Sequence, residues 1–390
     1  MPTTVSSPST SRRLAGLDTL RALAVTLVVL HHYTLFVTRD DATFGWVGRM
    51  GWAGVDLFFA LSGYLIGRQI FAALADPRGL SLGRFYARRL LRTLPNFYVV
   101  VALYFLLPGF RGDAPLPALW RMLTFTLNLN LPPGTAFSHA WSLCIEEQFY
   151  MVLPVVALLF AAWRGAAGTS WHAPLLMASL VIGGMVWRGH LWQEVVADRA
   201  SAQNHYFKFI YYGTLCRADE LLAGVALAMT RQYHPRAWRR LTSNGNVSAL
   251  LGLLVLGAAS WLFLHDRYAL APTVFGYPML GLGFGLLIVA ALSERSLLRD
   301  VRVPGAASLA LWSYAIYLLH RQVCVLGARF LKHCGLAPDS AAAIGILLLT
   351  SVVTGWLVFA LVETPFMRLR DRHVPDSLRP LPPRLDHIER

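Results

Sequence analysis

The first apolar stretch of this sequence, Leu20-Arg21-Ala-Leu-Ala-Val-Thr-Leu-Val-Val-Leu-His31-His32-Tyr33, carries an arginine and a histidine with ten residues between them. Ionisable side chains at membrane depth are costly and usually serve a function. Read as one helix, Arg21 and His32 are separated by roughly 17 Å of rise, so Arg21 sits near one membrane face and His32 beyond the midplane. A histidine near a carboxylate is a general base: the carboxylate fixes the tautomer and supports the imidazolium. Glu146 and Glu147, in Trp141-Ser-Leu-Cys-Ile-Glu146-Glu147, are the carboxylates that a helix of opposite direction brings to comparable depth. Asp56, Arg217 and the pair His320-Arg321 map to the middle or outer half of the membrane. The competing reading is a buried ion-pair network that holds helices together, and for Asp56, Asp219 and Glu220 it is the better one.

A second group is basic: Arg84, Arg88, Arg89 and Arg92 in Gly83-Arg84-Phe-Tyr-Ala-Arg88-Arg89-Leu-Leu-Arg92-Thr-Leu-Pro95. On a helix, Arg88 and Arg89 both share a face with Arg92, and planar guanidinium forks suit phosphate oxygens. Taken alone, such a run is ordinary, because basic loops are cytoplasmic and arginines snorkel to lipid phosphates. Taken together, a phosphate-binding patch and a histidine base some 15–20 Å higher by helix rise suit a long co-substrate with a charged head and a reactive tip. An acyl-coenzyme A is such a molecule: its nucleotide phosphates stay with the arginines while the pantetheine arm carries the thioester inward, toward a hydroxyl acceptor arriving from outside. It is a co-substrate, and no permanently bound cofactor is expected.

The elements that must position these groups are membrane helices. Of 390 residues, 56% are hydrophobic and 14% charged, with mean hydropathy +0.49, whereas a soluble enzyme carries about a quarter charged residues. Apolar windows recur near 17–37, 52–72, 93–110, 141–163, 173–191, 209–230, 247–265, 270–292, 306–331 and 341–366, and predict ten spans. The stretch 117–131 is shorter, holds Arg121, Asn128 and Asn130, and is expected as a short helix dipping in from the outer face. With 117–131 not crossing, most Lys and Arg fall on the side of the two termini, which the positive-inside rule makes cytoplasmic. The expected architecture is an all-α polytopic membrane protein with no soluble domain. Residues 1–15 are a disordered cytoplasmic N-terminus, 16–366 the membrane domain and 367–390 a cytoplasmic tail. The net charge of +14 is then a matter of loop arginines, and no nucleic-acid partner is expected. Cys144, Cys216, Cys324 and Cys334 have no CxxC spacing and predict neither a disulfide framework nor a metal site.

At these residues the chain resembles the acyltransferase-3 family of bacterial integral-membrane O-acyltransferases. The matching segments are Gly16-Leu-Asp-Thr-Leu-Arg21 with the R-x10-H ending at His32, Gly54-Val-Asp-Leu-Phe-Phe-Ala-Leu-Ser-Gly-Tyr-Leu-Ile66, Phe85-Tyr-Ala-Arg-Arg-Leu-Leu-Arg-Thr-Leu-Pro95, Trp141 to Tyr150, Ser313-Tyr-Ala-Ile-Tyr-Leu-Leu-His320 and Val362-Glu-Thr-Pro365. They follow the family's order across nearly the whole chain. The resemblance implies transfer of an acyl group, commonly acetyl, from cytoplasmic acyl-CoA at the inner membrane. The acceptors it implies are hydroxyls of surface polysaccharides, lipid-linked sugars, oligosaccharides or macrolide sugars. It maps the R-x10-H onto Arg21 and His32 rather than His31, the RxxR onto Arg89 and Arg92, and the WSLxxE glutamate onto Glu146, with Glu147 beside it. Set against longer members of the family, no C-terminal extracytoplasmic esterase-like domain is expected in this chain.

The reading is an O-acyltransferase in which His32, oriented by Glu146 or Glu147, deprotonates the acceptor hydroxyl; an acyl-histidine intermediate fits the sequence equally. Arg88, Arg89 and Arg92 hold the CoA phosphates, and Arg21 supports that site. A transporter or flippase using the same intramembrane groups without chemistry is the alternative. It predicts repeated halves with matching interrupted helices, and no such pairing is visible. The acceptor's identity, the acyl length and the oligomeric state are not written in the sequence.

Overall fold

The computed structural model describes residues 15–164, 172–197 and 201–374. It is all-helical, with no strand among the described residues. The long helices, in chain order, are α1 (Ala15–Tyr33), α2 (Gly54–Ala75), α3 (Leu82–Leu106), α4 (Trp141–Arg164), α5 (His172–Val195), α6 (Asp219–Tyr233), α7 (Gly245–His265), α8 (Tyr277–Leu292), α9 (Ala306–His333), α10 (Ala341–Val358) and α11 (Thr364–His373). Among the described residues, nine helical segments are long and apolar enough to cross a membrane, and each coincides with an expected span. Large apolar side chains on the periphery, such as Leu175 and Val186 on α5 and Leu250 and Leu254 on α7, are exposed, as lipid-facing positions are. The expected N-terminal disorder, but for Ala15, and the tail beyond 374 lie outside the described residues. Before that point the chain continues as α11, past the expected end of the membrane domain at 366.

The sixth expected span, 209–230, is not one continuous helix. It is a π-helical turn (Tyr206–Tyr211), a 3₁₀ turn (Thr214–Cys216) and then α6, whose 15 residues begin only at Asp219. A break at membrane depth leaves backbone carbonyls without helical donors, and it is tolerated only where protein groups satisfy them. Here Asn128 donates to Tyr212 O (3.0 Å), Arg188 to Cys216 O (2.9 Å) and Arg217 to Tyr211 O (3.3 Å). The doubtful segment 117–131 therefore has a structural task. It contributes a short helix, Leu119–Leu123, and then Asn128, whose side chain also bonds Thr214 (2.8 Å) and Gln148 (2.9 Å). Hydropathy averages over this break because the flanking residues remain apolar.

The core is organised around α2, which crosses α6 and α1. At the α2–α6 crossing, a Cβ on Gly63 would strike the Leu221 carbonyl oxygen and one on Gly224 the Ala60 carbonyl oxygen. Small residues that let two helix backbones meet are the usual device for packing in lipid. Helix α1 lies between α2 and α9, which brings its two polar ends against different neighbours.

Candidate active site

Two cavities abut along α1. The first, about 250 Å³, is lined by Arg21, Arg89, Arg92, Ser62, Glu146 and Tyr150, among others. The second, about 290 Å³, is lined by His31, His32, His139, Trp52, Tyr211 and Arg267, among others. Val55 of α2 and Tyr317 of α9 belong to both walls. The 19-residue helix α1 thus presents Arg21 to one chamber and His32 to the next.

In the first chamber the arginines expected to act together separate. Arg21, Arg89 and Arg92 line it. Arg88 instead donates to the Val374 carbonyl oxygen (2.5 Å) and reaches Asp371 (3.4 Å), tying α3 to α11. Arg88 does not line the chamber, where it was expected to bind phosphate with Arg89 and Arg92. Helical spacing put it on the Arg92 side, but α11, 286 residues on, offers it partners first. Arg89 lies 3.7 Å from Glu147 and stacks 3.8 Å over the Tyr150 ring. Ser62 donates to Glu146 (2.8 Å), and Asn96 to the buried Glu363 (2.8 Å).

The sequence led to the expectation that Glu146 or Glu147 orients His32, but neither glutamate is bonded to it. The partner is His320: its Nε2 lies 2.6 Å from His32 Nδ1, with the two rings stacked 4.9 Å apart. Equal depth had suggested the glutamates, but Glu146 lines the arginine chamber and Glu147 lies beside Arg89. His320 Nδ1 lies within 3.0 Å of two carbonyl oxygens, Ile316 O and Tyr317 O. Carbonyls only accept, so that nitrogen is assigned the proton, and His320 Nε2 accepts from His32 Nδ1–H. His32 Nε2 is left with a free lone pair. The backbone of α9 thus sets the tautomer of a side chain on α1.

His139, which the sequence reading did not single out, completes a histidine cluster, its ring 5.8 Å from His32 and 5.7 Å from His320. It lies in the 3₁₀ turn Ser138–Ala140 just before α4; its position two residues ahead of the Trp141 motif was the one available signal. Tyr317 pins the partition between the chambers: its hydroxyl is 2.6 Å from Ser142 Oγ and donates to His139 O (2.8 Å).

Two further sets of buried charges are ion-paired, whereas Glu220, expected in the same network, is buried with neither carboxylate oxygen hydrogen-bonded. Asp56 bonds Arg217, whose guanidinium is ringed by Trp141, Tyr211 and Tyr277. Arg188 pairs with Asp219 at 2.5 Å. These belong to helix packing, as expected for Asp56 and Asp219. Cys144, Cys216 and Cys324 are buried and Cys334 is exposed.

Residues 14–362 match the family model described as an acyltransferase domain. The chain belongs to this acyltransferase family. The peptidoglycan O-acetyltransferase OatA of Listeria monocytogenes is 27% identical over 377 residues, covering 90% of this chain and 56% of that protein. The putative peptidoglycan O-acetyltransferase YrhL of Bacillus subtilis is 28% identical, covering 81% of this chain and 49% of that protein. The putative membrane-bound transacylase BcsY of Komagataeibacter xylinus is also 28% identical, covering 91% and 83%. The acyltransferase-family chain therefore spans about half the length of the first two relatives. No solved structure matches it.

Proposed function

We propose that this chain is an integral-membrane O-acyltransferase that moves an acyl group, acetyl in the simplest case, from acyl-CoA to a hydroxyl of a carbohydrate acceptor. The observation that carries this is the pair of abutting chambers, one rimmed by Arg21, Arg89 and Arg92 and the other by His32, with only Val55 and Tyr317 common to both walls. The arginines hold the CoA phosphates by charge-assisted forks, and the thioester passes the Val55–Tyr317 partition. His32 Nε2 takes the proton of the acceptor hydroxyl as its oxygen attacks the thioester carbonyl carbon. The carbon–sulfur bond breaks, and the CoA thiolate leaves with the proton returned by the imidazolium. Glu147 orients Arg89, and Glu146 with Ser62 shapes the donor chamber. Relatives named as peptidoglycan O-acetyltransferases support a glycan as acceptor class. The excess of Lys and Arg on the side of the termini supports an inner-membrane protein with both termini and the arginine chamber in the cytoplasm.

The test uses membranes holding wild type or His32→Ala, supplied with acetyl-CoA labelled on the acetyl group and a glycan extract. Label enters glycan with release of CoA in wild type, and transfer falls by roughly 10²- to 10⁴-fold in the variant. Undiminished transfer by His32→Ala rejects the assignment of His32. The absence of CoA release above control membranes, with other short acyl-CoAs also supplied, rejects acyl transfer.

A further inference from the structure

The second chamber contains a cation that the chemistry above leaves unused. Arg267 stands between α7 and the π-helical turn Pro272–Gly276, and it lines the chamber that holds His31 and His32. Its guanidinium carbon lies 4.4 Å from the ring centre of Trp52, 4.9 Å from Tyr211 and 5.4 Å from Phe207. Its Nε is buried without a hydrogen-bond partner, and no ion pair to it occurs among the described residues. The contrast with its neighbours is direct. Arg188 and Arg217, which are fully buried where Arg267 is half-buried, each have a carboxylate, Asp219 and Asp56. Ring faces attract a cation but supply no negative charge, and a partly desolvated guanidinium with no counter-ion is costly. Its planar fork matches a carboxylate or a phosphate.

We propose that Arg267 is the anion subsite of the second chamber, and that the hydroxyl acceptor carries a carboxylate or phosphate which Arg267 binds while His32 meets the reacting hydroxyl. This rests on the acyltransferase reading and narrows its substrate to acidic saccharides. Trp52, Tyr211 and Phe207 hold the guanidinium in place beneath the anion, so the subsite is preorganised before the acceptor arrives. The anion belongs to the acceptor and not to the acyl chain, because Arg267 faces the His32 chamber and does not line the donor chamber.

The experiment uses the full chain in membranes. A saccharide extract of the source cells is divided on an anion-exchange resin into neutral and acidic pools. Each pool is supplied with labelled acetyl-CoA and, separately, with succinyl-CoA, to wild type, Arg267→Gln and Arg267→Lys, with variant levels in the membrane measured. Transfer of acetyl to the acidic pool and not the neutral one is the expected result. Arg267→Gln raises the acceptor concentration needed for half-maximal transfer by roughly 10- to 100-fold, and Arg267→Lys restores part of the loss. Transfer of acetyl to the neutral pool by wild type overturns the subsite. So does a wild type that uses succinyl-CoA in place of acetyl-CoA with loss of that preference in Arg267→Gln, because the anion then rides on the donor. If neither pool accepts label from either donor and no CoA is released, the acyltransferase reading itself falls, and the subsite with it.

Discussion

His32 and His320, 288 residues apart in the chain, meet through a 2.6 Å hydrogen bond between Nδ1 and Nε2. The bond joins the ends of two relays: α9 carbonyls hold the proton on His320 Nδ1, and His320 in turn holds the proton on His32 Nδ1. The free lone pair on His32 Nε2 is the functional outcome. A neutral histidine has two tautomers, and only one of them exposes a base at the acceptor side.

Removing that relay is the first prediction. His320→Ala leaves His32 Nδ1–H without an acceptor, and transfer falls by roughly 10- to 100-fold while acyl-CoA binding is retained. His320→Gln offers an amide oxygen as acceptor and recovers a substantial share of the rate. As His32 acts while neutral, transfer declines as pH falls through its titration and levels off above it. The acid limb shifts in His320→Gln relative to wild type. Rates and pH profiles of the purified variants, compared at equal amounts of folded protein, check this; equal rates in wild type and His320→Ala would remove His320 from the mechanism.

The arginines divide by what they touch. Arg89→Ala and Arg92→Ala raise the KM for acyl-CoA by roughly tenfold or more each, with a smaller change in kcat, since they bind a part of the donor remote from the reacting carbon. Arg88→Ala leaves that KM within about twofold and instead loosens α11, costing about 1–2 kcal/mol through its bonds to Val374 and Asp371. Steady-state kinetics against acyl-CoA, with thermal denaturation of each variant, separate the two roles.

The same division shows what the sequence held. Helical periodicity placed Arg21 and His32 at opposite ends of one helix, and α1 carries both. Spacing also grouped Arg89 with Arg92, which share a chamber. It equally grouped Arg88 with Arg92, because nothing local records that α11 packs against α3. The glutamates were expected at His32 from a rough depth with no azimuth; Glu146 instead lines the chamber of Arg21, and His320 occupies the position beside His32. The interrupted sixth segment was hidden for another reason. Its broken carbonyls are satisfied by Asn128 and Arg188 from distant parts of the chain, while its own residues remain apolar enough to read as a helix. Arg267 left no pattern at all: a single basic residue in a short loop reads as a solvated one until Trp52, Tyr211 and Phe207 are seen around it.

The partition between the chambers supplies a third prediction. Val55 is 5% exposed and faces both. Val55→Phe adds a ring where the acyl end of the donor must pass, without altering Arg21, Arg89 or Arg92. Equilibrium binding of labelled CoA stays within a few-fold of wild type, whereas transfer falls by roughly 10²-fold, the scale of a misplaced reacting group. Parallel loss of binding and transfer would show that the two chambers are not sequential.

The last prediction concerns the crossing on which the site is built. Gly63 and Gly224 let α2 and α6 approach until backbone meets backbone; a Cβ on either meets a carbonyl oxygen of the other helix, which cannot rotate away as a side chain would. Gly63→Ala or Gly224→Ala therefore pushes the helices apart, at a cost of about 1–3 kcal/mol. The displacement also reaches Asp56 on α2 and Arg217 just before α6, whose buried ion pair tolerates little separation. Gly257 on α7, where an added Cβ meets nothing within 4 Å, is the control: Gly257→Ala is neutral or stabilising by about 0.5–1 kcal/mol through helix propensity. Thermal unfolding in detergent should rank Gly257→Ala at or above wild type, with both crossing variants below it. A crossing variant as stable as wild type would mean that the α2–α6 contact yields without cost, and that the geometry behind the His32 chamber does not depend on it.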